Sequence, residues 1–182
     1  AKNNYTYNNP FCSQARVEYY TTALNNAIGV KDSTRLEFML AHTLLELGQE
    51  QKAVDVGEHL LTSVKGINAA TSQVVMKNLA MAYLRLGERE NCVMDHSGAS
   101  CIFPISGRGI QRYKRGSEKA IELYEQILQR EPEDVESRWL LNIAYMAIGK
   151  YPRFVPAAFL IPGLDSDTSS LVKPFTDLAV NT

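Results

Sequence analysis

Large and small residues recur along this chain in one fixed order, and that order constrains the fold more than any other feature. The first copy has a large-small-large triplet, a glycine, and then a small and a large residue: Leu40, Ala41, Leu44, Gly48, Ala53 and Leu60. Within each half, the apolar spacing is that of one face of an α-helix. A glycine between two such halves is typical of a helix end. This segment therefore predicts two helices that turn near Gly48.

Two further copies follow the first. The second is split into two halves, with the members Leu79, Ala80, Tyr83 and Gly87, then Ala120, Tyr124, Ile127 and Pro132. The third has only a first half: Leu141, Asn142, Tyr145 and Gly149. Small residues let paired helices approach closely, and larger ones fill the space between pairs. A repeat period of roughly 34 residues predicts an all-α stack of helical hairpins, wound as a right-handed superhelix.

The rest of the chain divides around these repeats. Residues 1–33 predict an N-terminal tail and a capping helix, and residues 34–149 hold the repeats. Residues 88–115 interrupt the second copy as an inserted loop, which is long for a turn between two packed helices. Residues 150–182 contain four of the seven prolines. We expect this last region to be an extended tail that leaves the stack.

Composition limits the class of protein. Apolar residues make up 45% of the chain and charged residues 21%, as in soluble globular proteins. The net charge of −1 gives no overall positive field to attract nucleic acid or an anionic membrane. No apolar run approaches the roughly 20 residues that a membrane helix needs. We therefore expect no nucleic acid partner and no transmembrane segment, and the helical repeats favour a protein or peptide partner.

The repeat spacing resembles the tetratricopeptide repeat over residues 34–149. The strings SCIFPI, RWLLNIAYMAIGKYP, FLIP and PFTDLAV resemble the region upstream of the propeller in a family of exported bacterial proteins. These proteins join tetratricopeptide repeats to FG-GAP or VCBS repeats and a terminal ASPIC/UnbV domain. The resemblance implies the N-terminal part of a longer protein, periplasmic or at the cell surface, with a lipid anchor as one means of attachment.

The same resemblance implies a module without enzymatic activity and without a cofactor. Such a module binds a partner protein or its own downstream propeller. In this sequence, the second half of the last repeat is replaced by the proline-rich segment, which departs from the repeat pattern.

The candidate binding surface is the concave face that the first helix of each hairpin presents in a repeat stack. In the repeat register, it is lined by Arg35, Phe38, His42, Leu45, Val74, Lys77, Met81, Leu84, Glu136, Trp139, Ile143 and Met146. Trp139 is the candidate anchor, because buried aromatic groups dominate interface energetics. Alternatively, Trp139 packs against the inserted loop or the proline-rich tail as part of the core.

The inserted loop carries the residues that could support chemistry. Cys92 and Cys101 lie nine residues apart, and we expect them to form a disulfide that staples the loop. Two reduced thiols in a reducing compartment are one alternative. Another is a metal site formed by Cys92, His96 and Cys101, which would contribute to an enzyme. We expect no metal, since this set has no fourth ligand nearby without recruiting another residue.

A basic cluster follows the cysteines. It consists of Arg108, Arg112, Lys114 and Arg115, with Tyr113 among them. Such a cluster could bind an acidic partner or a phosphate, or it could simply form a solvated face.

Overall fold

The structure is a computed structural model that describes residues 4–66, 68–94 and 97–165. These residues form six α-helices and no strand: α1 Ser13–Asn25, α2 Val30–Glu46, α3 Glu50–Val64, α4 Ala69–Met94, α5 Arg115–Arg130 and α6 Val135–Ala147. None of these helices combines the length and apolar character needed to cross a membrane. The predicted all-α class is confirmed.

Each helix packs against the next one along the chain, and α2 also contacts α4. The small residues of the repeat are among the most buried in the protein: Ala41, Ala53, Ala80 and Ala120. Because alanine adds only a methyl group, the helices can approach closely at these points. At the N-terminal end, Val17, Tyr20 and Leu24 of α1 pack against the same core.

The same hydrogen bond occurs twice between neighbouring helices. Tyr83 of α4 donates its hydroxyl to Glu58 of α3, and Tyr145 of α6 donates to Glu125 of α5 at 2.6 Å. Burial and the hydrogen bonds to these carboxylates raise the pKa of both tyrosines. Both tyrosines occupy the same place in the sequence repeat, so equivalent residues make equivalent contacts.

Three glycines of the repeat have two different roles. Gly48 and Gly149 adopt positive φ angles of 67° and 74° just beyond α2 and α6, as the sequence predicts for helix ends. Gly87 instead lies inside α4, which continues to Met94, so the predicted helix end and the loop start at residue 88 are wrong. A Cβ on Gly116 of α5 would lie 2.6 Å from the backbone nitrogen of Gly87. Glycine is therefore needed at position 87 so that α4 and α5 can approach closely, and not to form a turn.

The proline-rich segment folds back over α6, whereas the sequence predicts an extended tail. Val155 is buried, and Phe159 packs against the core. The fully buried side chain of Asn142 donates to the Phe159 carbonyl at 2.9 Å and accepts from the Ile161 N–H at 3.1 Å. At this repeat position, the earlier copies have a small residue that leaves room for a neighbouring helix. Asn142 instead uses its amide to bind the backbone of an irregular segment. The rest of the predicted tail lies outside the described residues.

Candidate functional site

The twelve predicted groove residues lie on α2, α4 and α6, and they differ in exposure. Five are exposed: Arg35, His42, Val74, Glu136 and Trp139. Five are half-buried: Phe38, Leu45, Lys77, Met81 and Ile143. The other two, Leu84 and Met146, are only 2% and 3% exposed. These two offer almost no surface to a partner, so the accessible face is narrower than the sequence pattern suggests.

Lys77 is engaged within the protein. Its Nζ lies 2.6 Å from Oδ2 of Asp134, which precedes α6, and 3.8 Å from Oε2 of Glu131. The hydrogen bond that Lys77 donates to the Asp134 carboxylate raises the pKa of Lys77. The ion pair therefore ties the N-terminal part of α4 to the start of α6.

Trp139 contacts the inserted loop, as one of the two interpretations of the sequence predicts. Its ring lies 5.6 Å, centroid to centroid, from the ring of Phe103 in the inserted loop. It nevertheless remains 42% exposed. Trp139 therefore packs against the loop while much of its surface stays exposed.

A cleft of about 560 Å³ lies between the inserted loop, the C-terminal half of α4 and α6. Its large apolar lining residues are Leu84, Ile102, Phe103, Ile105, Ile110 and Ile143. Four arginines also line it: Arg85, Arg89, Arg108 and Arg112. The volume and the mixed lining are typical of sites that bind small ligands or short segments.

Among the described residues, four arginines and two carboxylates line the cleft. Arg85 pairs with Glu88 at 2.7 Å, and Arg89 pairs with the largely buried Glu50 at 2.8 Å. Neither Arg108 nor Arg112 forms an ion pair within the described part of the chain. Their guanidinium groups carry the charge that remains available to a ligand.

The buried amide of Asn91 holds the inserted loop against α4. Its Oδ1 accepts hydrogen bonds from the backbone N–H groups of Arg112 and Tyr113, at 2.8 and 2.9 Å. Its Nδ2 donates to the Tyr113 carbonyl at 2.8 Å and also to the Gly87 carbonyl. One side chain thus fixes the backbone that carries Arg112.

Two further contacts close the loop. The backbone N–H of Gln111 donates to the Ala147 carbonyl at the end of α6, at 2.8 Å. Gly109 packs against the other arm of the loop, where an added Cβ would lie 2.4 Å from the Ala99 carbonyl oxygen. The loop is therefore held by α4, by α6 and by itself.

The predicted basic cluster divides between different positions. Arg108 and Arg112 line the cleft. Lys114 instead donates from Nζ to the Ile148 carbonyl at 3.1 Å, which links the loop to the end of α6. Arg115 begins α5 with its side chain exposed.

Cys92 is exposed and lines the cleft. His96 and the side chain of Cys101 lie outside the described residues. The disulfide of Cys92 with Cys101, and the alternative metal site, therefore stay predictions. Within the described residues, no three His, Cys, Asp or Glu side chains are grouped so that they could hold a metal ion.

Sequence reasoning did not identify four residues that shape the cleft. Arg85, Arg89 and Asn91 lie on the part of α4 that surrounds Gly87, where the sequence predicts a helix end. Gln111 lies in a segment with no periodicity. The polar residues after Gly87 would indicate Arg89 and Asn91 only if the helix were known to continue past the glycine.

Comparison with protein-family models, with curated proteins and with solved structures returned no match. The candidate surfaces are thus the cleft, which the geometry shows, and the exposed residues of α2, α4 and α6, which the repeat register predicts.

Proposed function

We propose that this chain is a protein-interaction module, in which tetratricopeptide-like hairpins form a right-handed superhelix and present α2, α4 and α6 to a partner. The observation that carries the proposal is apolar surface left open on these helices. Val74 and Trp139 are 52% and 42% exposed, and Phe38 and Met81 are half-buried. Large apolar side chains that remain accessible favour contact with another protein.

The internal contacts favour a repeat stack rather than an unrelated bundle of helices. The bonds from Tyr83 to Glu58 and from Tyr145 to Glu125 join successive hairpins at matching repeat positions. The glycines after α2 and α6 take the same left-handed conformation. In a stack built this way, the first helix of each hairpin lines one shared surface.

Peptide selection tests this function without a known partner. Peptides selected from a random display library on the immobilised protein would be titrated against the wild type and a Val74→Asp variant. We expect the variant to bind about tenfold more weakly, a loss of about 1.4 kcal/mol, because the carboxylate would be desolvated at an apolar contact.

A Val135→Asp variant is the matched control. Val135 is 76% exposed and lies outside the predicted groove. The same chemical change at Val135 should leave the affinity within about twofold of wild type, which is well below the tenfold loss expected for Val74→Asp. Equal binding by the wild type and Val74→Asp, or failure to select any peptide, would contradict the proposed function.

We also propose that the module belongs to a larger exported bacterial protein, whose downstream propeller or a separate protein occupies the face. The support is the sequence resemblance of the segments around α6 and the proline-rich region. Fractionation of native cells and immunoblotting against this chain tests the idea. A periplasmic or surface band well above 20.3 kDa is expected, whereas a cytoplasmic band of that mass would refute it.

A further inference from the structure

We propose that the cleft beneath the inserted loop binds an acidic peptide segment that also carries a large apolar side chain. The inference rests on the proposed function and names the partner chemistry that this part of the surface selects. In this arrangement, the insertion gives the module its preference for charge, and the exposed face of the helices supplies further apolar contact.

The charge preference follows from the two arginines that have no acidic partner in the described residues. Arg85 and Arg89 are matched by Glu88 and Glu50, so Arg108 and Arg112 leave a net positive site. A cleft with low-dielectric walls focuses this potential more than a flat surface does. Guanidinium groups bind carboxylates through two parallel hydrogen bonds.

The apolar preference follows from the loop side chains that line the same cleft. Ile102, Phe103 and Ile110 remain exposed, although residues of this size usually pack in a core. A ligand with charge alone, such as a phosphate, would leave these walls in water. A segment that places an apolar side chain beside a carboxylate would cover both.

The cleft also adjoins the open face of α6. Ile143 lines the cleft, and Trp139, one helical turn earlier, touches the lining residue Phe103. An extended peptide leaving the cleft along α6 would therefore meet the exposed side of the indole. This continuity favours a peptide over an isolated small anion.

The site is built rather than incidental. The Asn91 amide fixes the backbone of Arg112 at 2.8 Å, and Gly109 lets the two arms of the loop touch. A ligand would meet arginines on an anchored backbone, which reduces the entropy lost on binding.

Fluorescence anisotropy with three labelled peptides tests the inference: EFELE, its basic counterpart KFKLK, and the apolar-free ESESE. We expect wild-type protein to bind EFELE at least tenfold more tightly than either of the others. Equal affinity for EFELE and ESESE would mean charge attraction only and would overturn the inference. Absence of binding by EFELE would overturn it as well.

The variant arm uses Arg108→Gln together with Arg112→Gln. Both side chains are exposed, so folding should be retained, which circular dichroism would verify. We expect at least a tenfold loss of EFELE affinity. A control with Lys31→Gln and Arg153→Gln removes the same net charge from exposed positions outside the cleft and should change affinity less than twofold. Equal losses in the two double variants would overturn the inference.

The two proposals fail in different ways. If Val74→Asp weakens display-selected peptides while the Arg108 and Arg112 double variant binds EFELE like wild type, the interaction module stands and the cleft assignment falls. If the arginine variant loses EFELE while Val74→Asp leaves the display-selected peptides unaffected, the cleft assignment stands and the groove falls.

Discussion

At the scale of single residues, buried polar side chains decide where irregular backbone can pack. Asn91 binds the returning arm of the inserted loop, and Asn142 binds the segment after α6. Buried backbone groups need partners, and these segments have no helix to supply them. In each case, one amide replaces the hydrogen bonds that regular structure would provide.

Replacing Asn142 with alanine should therefore destabilise the protein, although alanine suits the repeat pattern better. The variant would remove the partners of the Phe159 carbonyl and the Ile161 N–H. We expect a loss of about 2 kcal/mol in the free energy of unfolding, measured with urea. Gln129→Ala on the exposed face of α5 is the control. A change no larger than in the control would contradict this role.

Asp134 should make the free energy of unfolding depend on pH in the acidic range. Burial alone would raise its pKa, but hydrogen bonds from Lys77 and Ser137 outweigh burial and lower it. Because the folded-state pKa is lowered, the contribution is complete above about pH 4 and is lost as pH falls below that value.

Asp134 caps the N-terminus of α6 by accepting a hydrogen bond from the Ser137 backbone N–H. The variant Asp134→Asn removes the charge but keeps a side chain that caps helices well. We expect it to be about 1 kcal/mol less stable than wild type at pH 7. The difference should narrow in urea unfolding at pH 3, which lies below the ordinary aspartate pKa of about 3.9, because the unfolded state then binds a proton that the folded state still resists. A difference that is the same at both pH values would show that the charge of Asp134 is irrelevant.

At the scale of elements, the contact of α4 with α5 depends on glycine. Gly116→Ala would place a Cβ 2.6 Å from the backbone of both Gly87 and Tyr83. Because backbone cannot move aside as a side chain can, we expect the free energy of unfolding to fall by about 2 kcal/mol or more. Thermal unfolding would measure this change. Gly98→Ala is the control, since nothing lies within 4 Å of the added carbon there. Similar melting temperatures for the two variants would contradict the close approach.

The helices could be predicted from the sequence because their apolar spacing is local, whereas the role of one glycine could not. Gly48, Gly87 and Gly149 look alike in the repeat pattern. Only Gly87 faces another glycine, Gly116, and that pairing is set by tertiary packing. A single sequence gives no sign of it, so α4 extends further than the pattern predicts.

At the scale of the whole molecule, the inserted loop adds a cleft to the packed helices. Among the exposed large apolar residues of the described helices, the repeat register named Val74 and Trp139. The cleft could not be foreseen, because it forms where a segment without periodicity meets α4 and α6. Of its four arginines, the sequence singled out only Arg108 and Arg112, as neighbours in a basic run.

Nuclear magnetic resonance of the isotope-labelled protein with one display-selected peptide tests the central claim most directly. We predict that the largest chemical-shift changes fall on α2, α4 and α6, with the Trp139 indole N–H among them. Changes concentrated on α3 and α5 would place the partner on the other helices and contradict the proposed interaction surface.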